Sequence, residues 1–201
     1  MTPEEVQAQI GVSRETLDKL RLYAETLEKW QPKINLVGPA TLPDLWRRHI
    51  LDSAQLYQLL PEGTETLADL GSGAGFPGLV LAVMGVPDVH LLESDARKCA
   101  FLREVARLTD TKVTIHNKRI EQVQGLQADC ITARALAPVA DLLKLAQSLF
   151  KDDTECLFLK GRNSEEELTQ AAKDWKMTVQ RIPSVTDPSG LILRLKEVSR
   201  A

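Results

Sequence analysis

An acid followed by glycines at alternate positions, Asp69 then Gly71, Gly73 and Gly75, is the feature of this sequence best suited to chemistry. It lies in "TLADLGSGAGFPGLVLAVMG", residues 66–85. Glycines so spaced let the main chain turn left-handed and let a ligand approach the backbone closely. The stretch has two frames. Counted from Asp69 it reads D-x-G-x-G-x-G, which suits a methyl donor such as S-adenosylmethionine; counted from Gly73 through Gly75 and Gly78 it reads G-x-G-x-x-G, which suits a nicotinamide or flavin dinucleotide. A dinucleotide needs free N–H groups at the start of the helix to hold its pyrophosphate. Pro77, in the penultimate position of that frame, has none. A carboxylate ending the strand and aimed into the crevice would also repel a pyrophosphate, yet attract the ammonium and sulfonium charges of the methyl donor. The acid therefore favours the first frame. Glu93, at the end of the next apolar run, would hold the ribose hydroxyls of either cofactor and does not discriminate.

These residues must be positioned by strands and helices. Residues 1–63 read as a helical region. Thr2, Pro3 and Glu5 form a capping box before a short helix that Gly11 ends. Leu17, Leu20, Ala24, Leu27 and Trp30 recur at helical spacing until Pro32. A third helix is expected from about Asp44 to Leu60, with Leu45, Ile50, Ala54 and Tyr57 on or near its buried face. From residue 64 to 201 short β runs ("TLADL", "VHLLE", "KVTIH", "ADCITA", "ECLFLK", "MTVQRI", "LILRLK") alternate with helical segments near 77–84, 96–109, 138–150 and 164–175. That alternation predicts right-handed crossovers and a mostly parallel α/β sheet of seven strands. Its last two strands, joined only by "PSVTDPSG", should be antiparallel. The two regions are expected to pack as one unit. Ligands of such a sheet bind at the carboxyl ends of its strands, where Asp69 to Gly75, Glu93, His116 to Glu121 and Arg134 all fall.

Composition narrows the classes. The apolar content of 43% and charged content of 26% are ordinary for a globular protein, and no apolar run approaches a membrane span. The polar, acidic start is not a secretory signal, which points to the cytoplasm. The cysteines, Cys99, Cys130 and Cys156, lack metal-ligand spacing and read as buried thiols; no metal site is expected. A net charge of −3 excludes a protein that grips nucleic acid with its whole surface, but basic residues cluster in "WRRHI", "DARKCAFLREVARL", "HNKRI" and "LKGR". Any polyanion would meet a patch.

Taken together, "KINLVG", "LWRRHILDSAQL", "LADLGSGAGFPGLVLA", "LLESDARKCAFLREVA", "ITARALAPV" and "LFLKGR" resemble the RsmG (GidB) family of bacterial ribosomal RNA methyltransferases, over about residues 30–196. The resemblance implies a class I (Rossmann-like) methyltransferase sheet preceded by helices. It implies transfer from S-adenosylmethionine to N7 of a single guanine, conventionally numbered 527, in 16S ribosomal RNA. By position it implies cofactor contacts from Gly71 and Phe76, adenine flanked by Ile120 and Glu121, and Arg134 beyond the fourth strand. Ala74 stands where many members carry proline. With the family in view, Lys160 and Arg162 are expected near phosphate, and Asn35, Arg47, Arg48 and Lys118 on the RNA rim. The partner would be the small ribosomal subunit or its precursor, and a monomer would suit so large a partner.

Guanine N7 carries a lone pair and no proton, so attack on a sulfonium methyl needs alignment and no general base. No catalytic acid–base residue is therefore expected. His49, Asp52 and Ser53 share one helical turn, which is not the geometry of a triad; they are expected to brace the helical region against the sheet. The rival readings are an NAD(P)-dependent oxidoreductase using the second glycine frame, a methyltransferase of another substrate, and a ribosome-assembly factor that kept the fold.

Overall fold

The structure, a computed structural model, describes all residues from Met1 to Ala201. Helix α1 (Pro3–Ile10) opens on the expected capping box, with Glu5 N–H donating to Thr2 Oγ1 and Thr2 N–H to Glu5 Oε2, and closes at Gly11 in the left-handed region. Helix α2 (Arg14–Trp30) is capped by Ser13 and buries Leu17, Leu20, Ala24 and Leu27. Each buried leucine contributes roughly 1.5–3 kcal/mol, several times any difference in helix propensity. That stripe therefore seats the helix. Tyr23 and Thr26 are buried beside it.

The regular helix expected over 44–60 is not formed. A 3₁₀ run (Pro39–Asp44) leads into a π-helical turn (Trp46–Leu51), one α turn, α3 (Asp52–Ala54), and another 3₁₀ turn (Tyr57–Leu59). The Asp52 N–H reaches back to Arg47 O, and Arg48 O instead accepts a hydrogen bond from the side chain of Arg134. A tertiary partner for one carbonyl has widened the turn, as π-turns at functional sites commonly do. The rotation of the following residues leaves Tyr57, expected inward, 39% exposed.

The sheet comprises β1 (Thr66–Leu70), β2 (Asp88–Leu92), β3 (Thr114–His116), β4 (Cys130–Arg134), β5 (Glu155–Lys160), β6 (Trp175–Pro183) and β7 (Leu191–Arg200). It is interleaved with α4 (Gly78–Val83), α5 (Ala96–Leu108), α6 (Val139–Ala146) and α7 (Ser164–Ala171). Its order is β3-β2-β1-β4-β5-β7-β6. The first five strands are parallel, and β7 runs antiparallel to both β5 and β6. The seven-stranded, mostly parallel sheet with antiparallel final strands is thus the one the β–α alternation predicts. Helices α1, α2, α4 and α5 share one apolar core on one face of the sheet; α6, α7 and the segment around Ile120 cover the other. Strand order reverses between β1 and β4, which opens a crevice at their carboxyl ends. No helix is long and apolar enough to cross a membrane.

Candidate functional site

A cleft of about 730 Å³ lies at that crevice, within the size range of small-molecule and cofactor sites. Gly71, Gly73, Ala74 and Phe76 line it after β1, and residues 134–138 after β4. Lys160 lines it after β5, with Arg48, His49 and Asp52 from the helical region and Thr186 and Asp187 from the β6–β7 loop.

The glycines are required by space and by backbone angle. Gly71 has φ +61°, and a Cβ there would lie 2.7 Å from Leu136 Cδ1 on the β4 loop. Gly75 has φ +94°, and its Cβ would meet Leu79 Cβ at 2.9 Å and Leu102 Cδ2 at 3.0 Å. The first glycine lets two loops close over the cleft; the second lets the loop sink into the core. Gly73 N–H donates to Glu93 Oε2 at 2.9 Å, and the other oxygen of Glu93 accepts Asp95 N–H at 2.7 Å. Glu93 thus ties the glycine loop to the start of α5. Asn117 Nδ2 donates to the carbonyls of Glu93 and Ser94 at 3.3 and 3.0 Å. This draws the segment carrying Lys118, Ile120 and Glu121 to the same side of the loop, outside the main cleft; Ile120 is buried there, while Lys118 and Glu121 are exposed.

Asp69 is fully buried beneath the loop and does not line the cleft. The register of β1 with β4 sets it opposite Thr132, whose hydroxyl donates to its Oδ1 at 2.7 Å. Its Oδ2 has no hydrogen-bond partner. Burial pushes its pKa up to about 6, against the opposing pull of the Thr132 hydroxyl and other donors. Gly78 packs on it so closely that a Cβ would stand 2.6 Å from Asp69 Cβ.

Arg134, the last residue of β4, joins the helical region to the sheet. Its Nη1 donates to Arg48 O at 3.1 Å and faces Asp52 Oδ2 at 3.5 Å; its Nη2 donates to His49 Nδ1 at 2.9 Å. A guanidinium can only donate, so His49 Nδ1 is the acceptor and Nε2 carries the proton. Nε2 then donates to Thr41 Oγ1 at 2.7 Å, and that hydroxyl to Gly38 O at 2.7 Å. Burial, reinforced by the Arg134 and Arg48 charges, holds the His49 pKa at about 3. Ser53 Oγ donates to His49 O at 2.7 Å, and Asp52 Oδ1 accepts from Thr186 Oγ1 at 2.5 Å. His49 and Asp52 form the brace that the sequence suggests, whereas Ser53 only closes its own helical turn.

Phe76 is the other side of this joint. The Arg134 guanidinium lies 5.0 Å above its ring, His49 packs at 5.1 Å, and Tyr23 stacks on it at 5.3 Å with the rings 8° from parallel. Tyr23 also donates its hydroxyl to Ala74 O within the glycine loop. The sequence pattern does not single out this aromatic support, although Tyr23 stands at helical spacing between Leu20 and Leu27.

Lys160 lines the cleft with its charge already engaged: Nζ meets Glu167 Oε2 at 2.8 Å and donates to Ala137 O at 2.5 Å. Arg48 pairs loosely with Asp187 at 3.4 Å. Arg47 stands outside the cleft, bonded to Asp44 Oδ2 at 2.6 Å and Thr186 O at 2.8 Å. Asn35 and Arg162 are exposed and outside it as well.

The sequence pattern of the rRNA small subunit methyltransferase G family matches residues 16–192. The ribosomal RNA small subunit methyltransferase G of Paramagnetospirillum magneticum is 66% identical over 200 residues, covering 100% of this chain and 98% of the relative. That of Rhodospirillum rubrum is 53% identical over 201 residues, 100% of each chain. Among solved structures, ribosomal protein L11 methylase from Lactobacillus delbrueckii subsp. bulgaricus is similar with a TM-score of 0.60 and 16% identity, over 76% of this chain and 78% of that one. The N-methyltransferase NodS from Bradyrhizobium japonicum, in complex with S-adenosyl-L-homocysteine, is similar with a TM-score of 0.55 and 12% identity, over 72% and 85%. At such identities the likeness is one of fold, and the fold is that of the class I methyltransferases. With the family's pattern spanning most of its length, and relatives of that name identical to it at more than half their positions, the chain belongs to the rRNA small subunit methyltransferase G family.

Proposed function

We propose that the protein transfers a methyl group to N7 of one guanine in 16S ribosomal RNA, conventionally numbered 527, as a cytoplasmic monomer acting on the small subunit or its precursor. The methyl donor is S-adenosylmethionine, which supplies an electrophilic methyl on a sulfonium. The observation that carries the N7 reading is the state of the ionisable groups in the cleft. His49 is held neutral as an acceptor for Arg134, Asp52 lies between Arg134 and Thr186, and Lys160 is paired with Glu167. These three groups are engaged by neighbours in the protein, and a nucleophile that already carries a lone pair needs no proton removed. In the transfer a C–S bond breaks, an N–C bond forms, and the positive charge passes from sulfur to the base. The protein's contribution is then alignment and exclusion of water.

The residues fit a cationic nucleoside donor. Open space over Gly73, where a Cβ would meet nothing nearer than Gly71 O at 3.8 Å, and a buried carboxylate with an unpartnered oxygen beneath the loop suit the methionine portion and its charges. Gly73 would let it approach the main chain, Gly71 and Gly75 would shape the loop, and Phe76 and Arg134 would border it. Asp69 would supply the countercharge from below. Glu93 would take the ribose, and Ile120 with Glu121 would flank the adenine. Residues 1–63 and 64–201 would act as one unit. For the RNA, Arg48 and Lys160 stand at the cleft, with Arg47, Arg162, Asn35 and Lys118 around it. Binding through these cations should weaken with salt, with a slope set by the number of phosphates they neutralise. The target base must be unpaired or flipped to expose its Hoogsteen edge.

The test is transfer from labelled donor to small subunits lacking the modification, followed by digestion to nucleosides. Label in 7-methylguanosine is expected. Label in any other nucleoside would overturn the N7 reading.

A further inference from the structure

Three carboxylates line the cleft, and two are fully engaged. Asp52 Oδ1 accepts from Thr186 Oγ1 and from Gln55 Nε2 at 3.0 Å, while Oδ2 faces Arg134. Asp187 Oδ1 accepts the Ser189 N–H and hydroxyl at 2.9 and 2.8 Å, and Oδ2 pairs with Arg48. Glu167 differs. Its Oε2 takes both Lys160 Nζ at 2.8 Å and Val139 N–H at 3.0 Å, and its Oε1 has no partner in the protein. Lys160 is itself held by Ala137 O and its side chain is only 8% exposed. The carboxylate is therefore fixed from one side by donors on β5 and at the start of α6, with one acceptor oxygen left over in the cleft.

We infer that Glu167 reads the target base, its free Oε1 accepting a hydrogen bond from the N1–H and N2 amino edge of guanine. This rests on the proposed transfer to guanine N7. A guanine that presents N7 to the donor turns its N1 and N2 groups to the far side of the ring. Those groups are donors, and an ionised carboxylate can only accept. Adenine offers an N1 lone pair at that edge, which a carboxylate repels, although its N7 is as free to be methylated. Transfer also leaves a positive charge on the base, and a carboxylate at its edge favours the charged product.

The test compares small subunits reconstituted in vitro on transcripts carrying guanine or adenine at the target, with wild-type enzyme and Glu167→Gln. Wild type is expected to methylate the guanine particles and to leave the adenine particles almost unlabelled. Glutamine keeps the size and can donate to adenine N1. For this variant kcat/KM on guanine should fall roughly ten- to hundredfold, and the guanine-to-adenine ratio by about tenfold or more. Its affinity for S-adenosylmethionine in calorimetry should match the wild type, while its Tm should fall because Lys160 loses its ionised partner. Lower activity with an unchanged ratio would make Glu167 only a holder of Lys160 and overturn the inference. If the variant does not fold, the wild type decides alone: equal rates on the two particles overturn it. Transfer by the wild type to no guanine N7 at all would remove the underlying reading, and the inference with it.

Discussion

Arg134 donates to Nδ1 of His49 at 2.9 Å, and that bond fixes the tautomer of a histidine whose opposite nitrogen anchors Thr41. One arginine at the end of β4 thus orders the widened turn, the 3₁₀ run before it and one wall of the cleft. Arg134→Ala would leave His49 without its donor and Asp52 without its cation. Losing one partner of a largely buried cluster costs about 3 kcal/mol. Urea unfolding should show a loss of that order, whereas a midpoint within experimental error of the wild type would deny Arg134 this joining role.

Tyr23 and Ala74 form the second link between helical region and glycine loop. Tyr23→Phe keeps the stack on Phe76 but removes the hydroxyl, leaving a buried carbonyl unsatisfied at a cost of about 1–3 kcal/mol. Because that carbonyl belongs to the loop, affinity for S-adenosylmethionine should fall several-fold as well. Calorimetry on the folded variant checks it; unchanged affinity would make Tyr23 a core residue only.

Gly71 and Gly75 should fail differently. Gly75→Ala forces a Cβ against Leu79 and Leu102 in the core at positive φ and should destabilise by about 3 kcal/mol or more. Gly71→Ala shares the positive-φ strain but otherwise meets only the flexible end of Leu136, which can swing away. It should leave the fold largely intact and weaken cofactor binding. Thermal melts beside calorimetry separate the two outcomes.

Asp69 and His49 push acid stability in opposite directions. The Asp69 pKa is raised by burial from 3.8 to about 6, so the folded state holds the extra proton in that window, and stability from this group is lost as pH rises through it. The His49 pKa is lowered by burial from 6.5 to about 3, so the unfolded state holds the extra proton, and stability is lost as pH falls from 6.5. Asp69→Asn removes the first effect. Between pH 4 and 6 its stability should rise with pH more steeply than the wild type's, by a total of about 2 kcal/mol. Parallel pH–stability curves for the two proteins would contradict a raised Asp69.

The sheet was legible because β–α alternation is a strong local pattern. β1 and β5 have the bounds that their apolar runs suggest, and the antiparallel end follows from a loop too short for a crossover helix. The turn at 46–51 was not legible, because a distant side chain, Arg134, takes the carbonyl that a regular helix would use. Asp69 was readable as an important acid but not as a buried one: its depth depends on Gly78 and Thr132, brought to it by α4 packing and β4 register. Glu167 gave no signal in the sequence, since its meaning lies in which of its oxygens Lys160 and Val139 leave free.

The most direct measurement maps the modified nucleotide. Small subunits from cells lacking this activity, incubated with the protein and S-adenosylmethionine, would be treated with borohydride and aniline, which cleave RNA at 7-methylguanosine, and read by primer extension. A single new stop at guanine 527 is the predicted result. Cleavage elsewhere, or none despite incorporated methyl label, would contradict the proposed specificity.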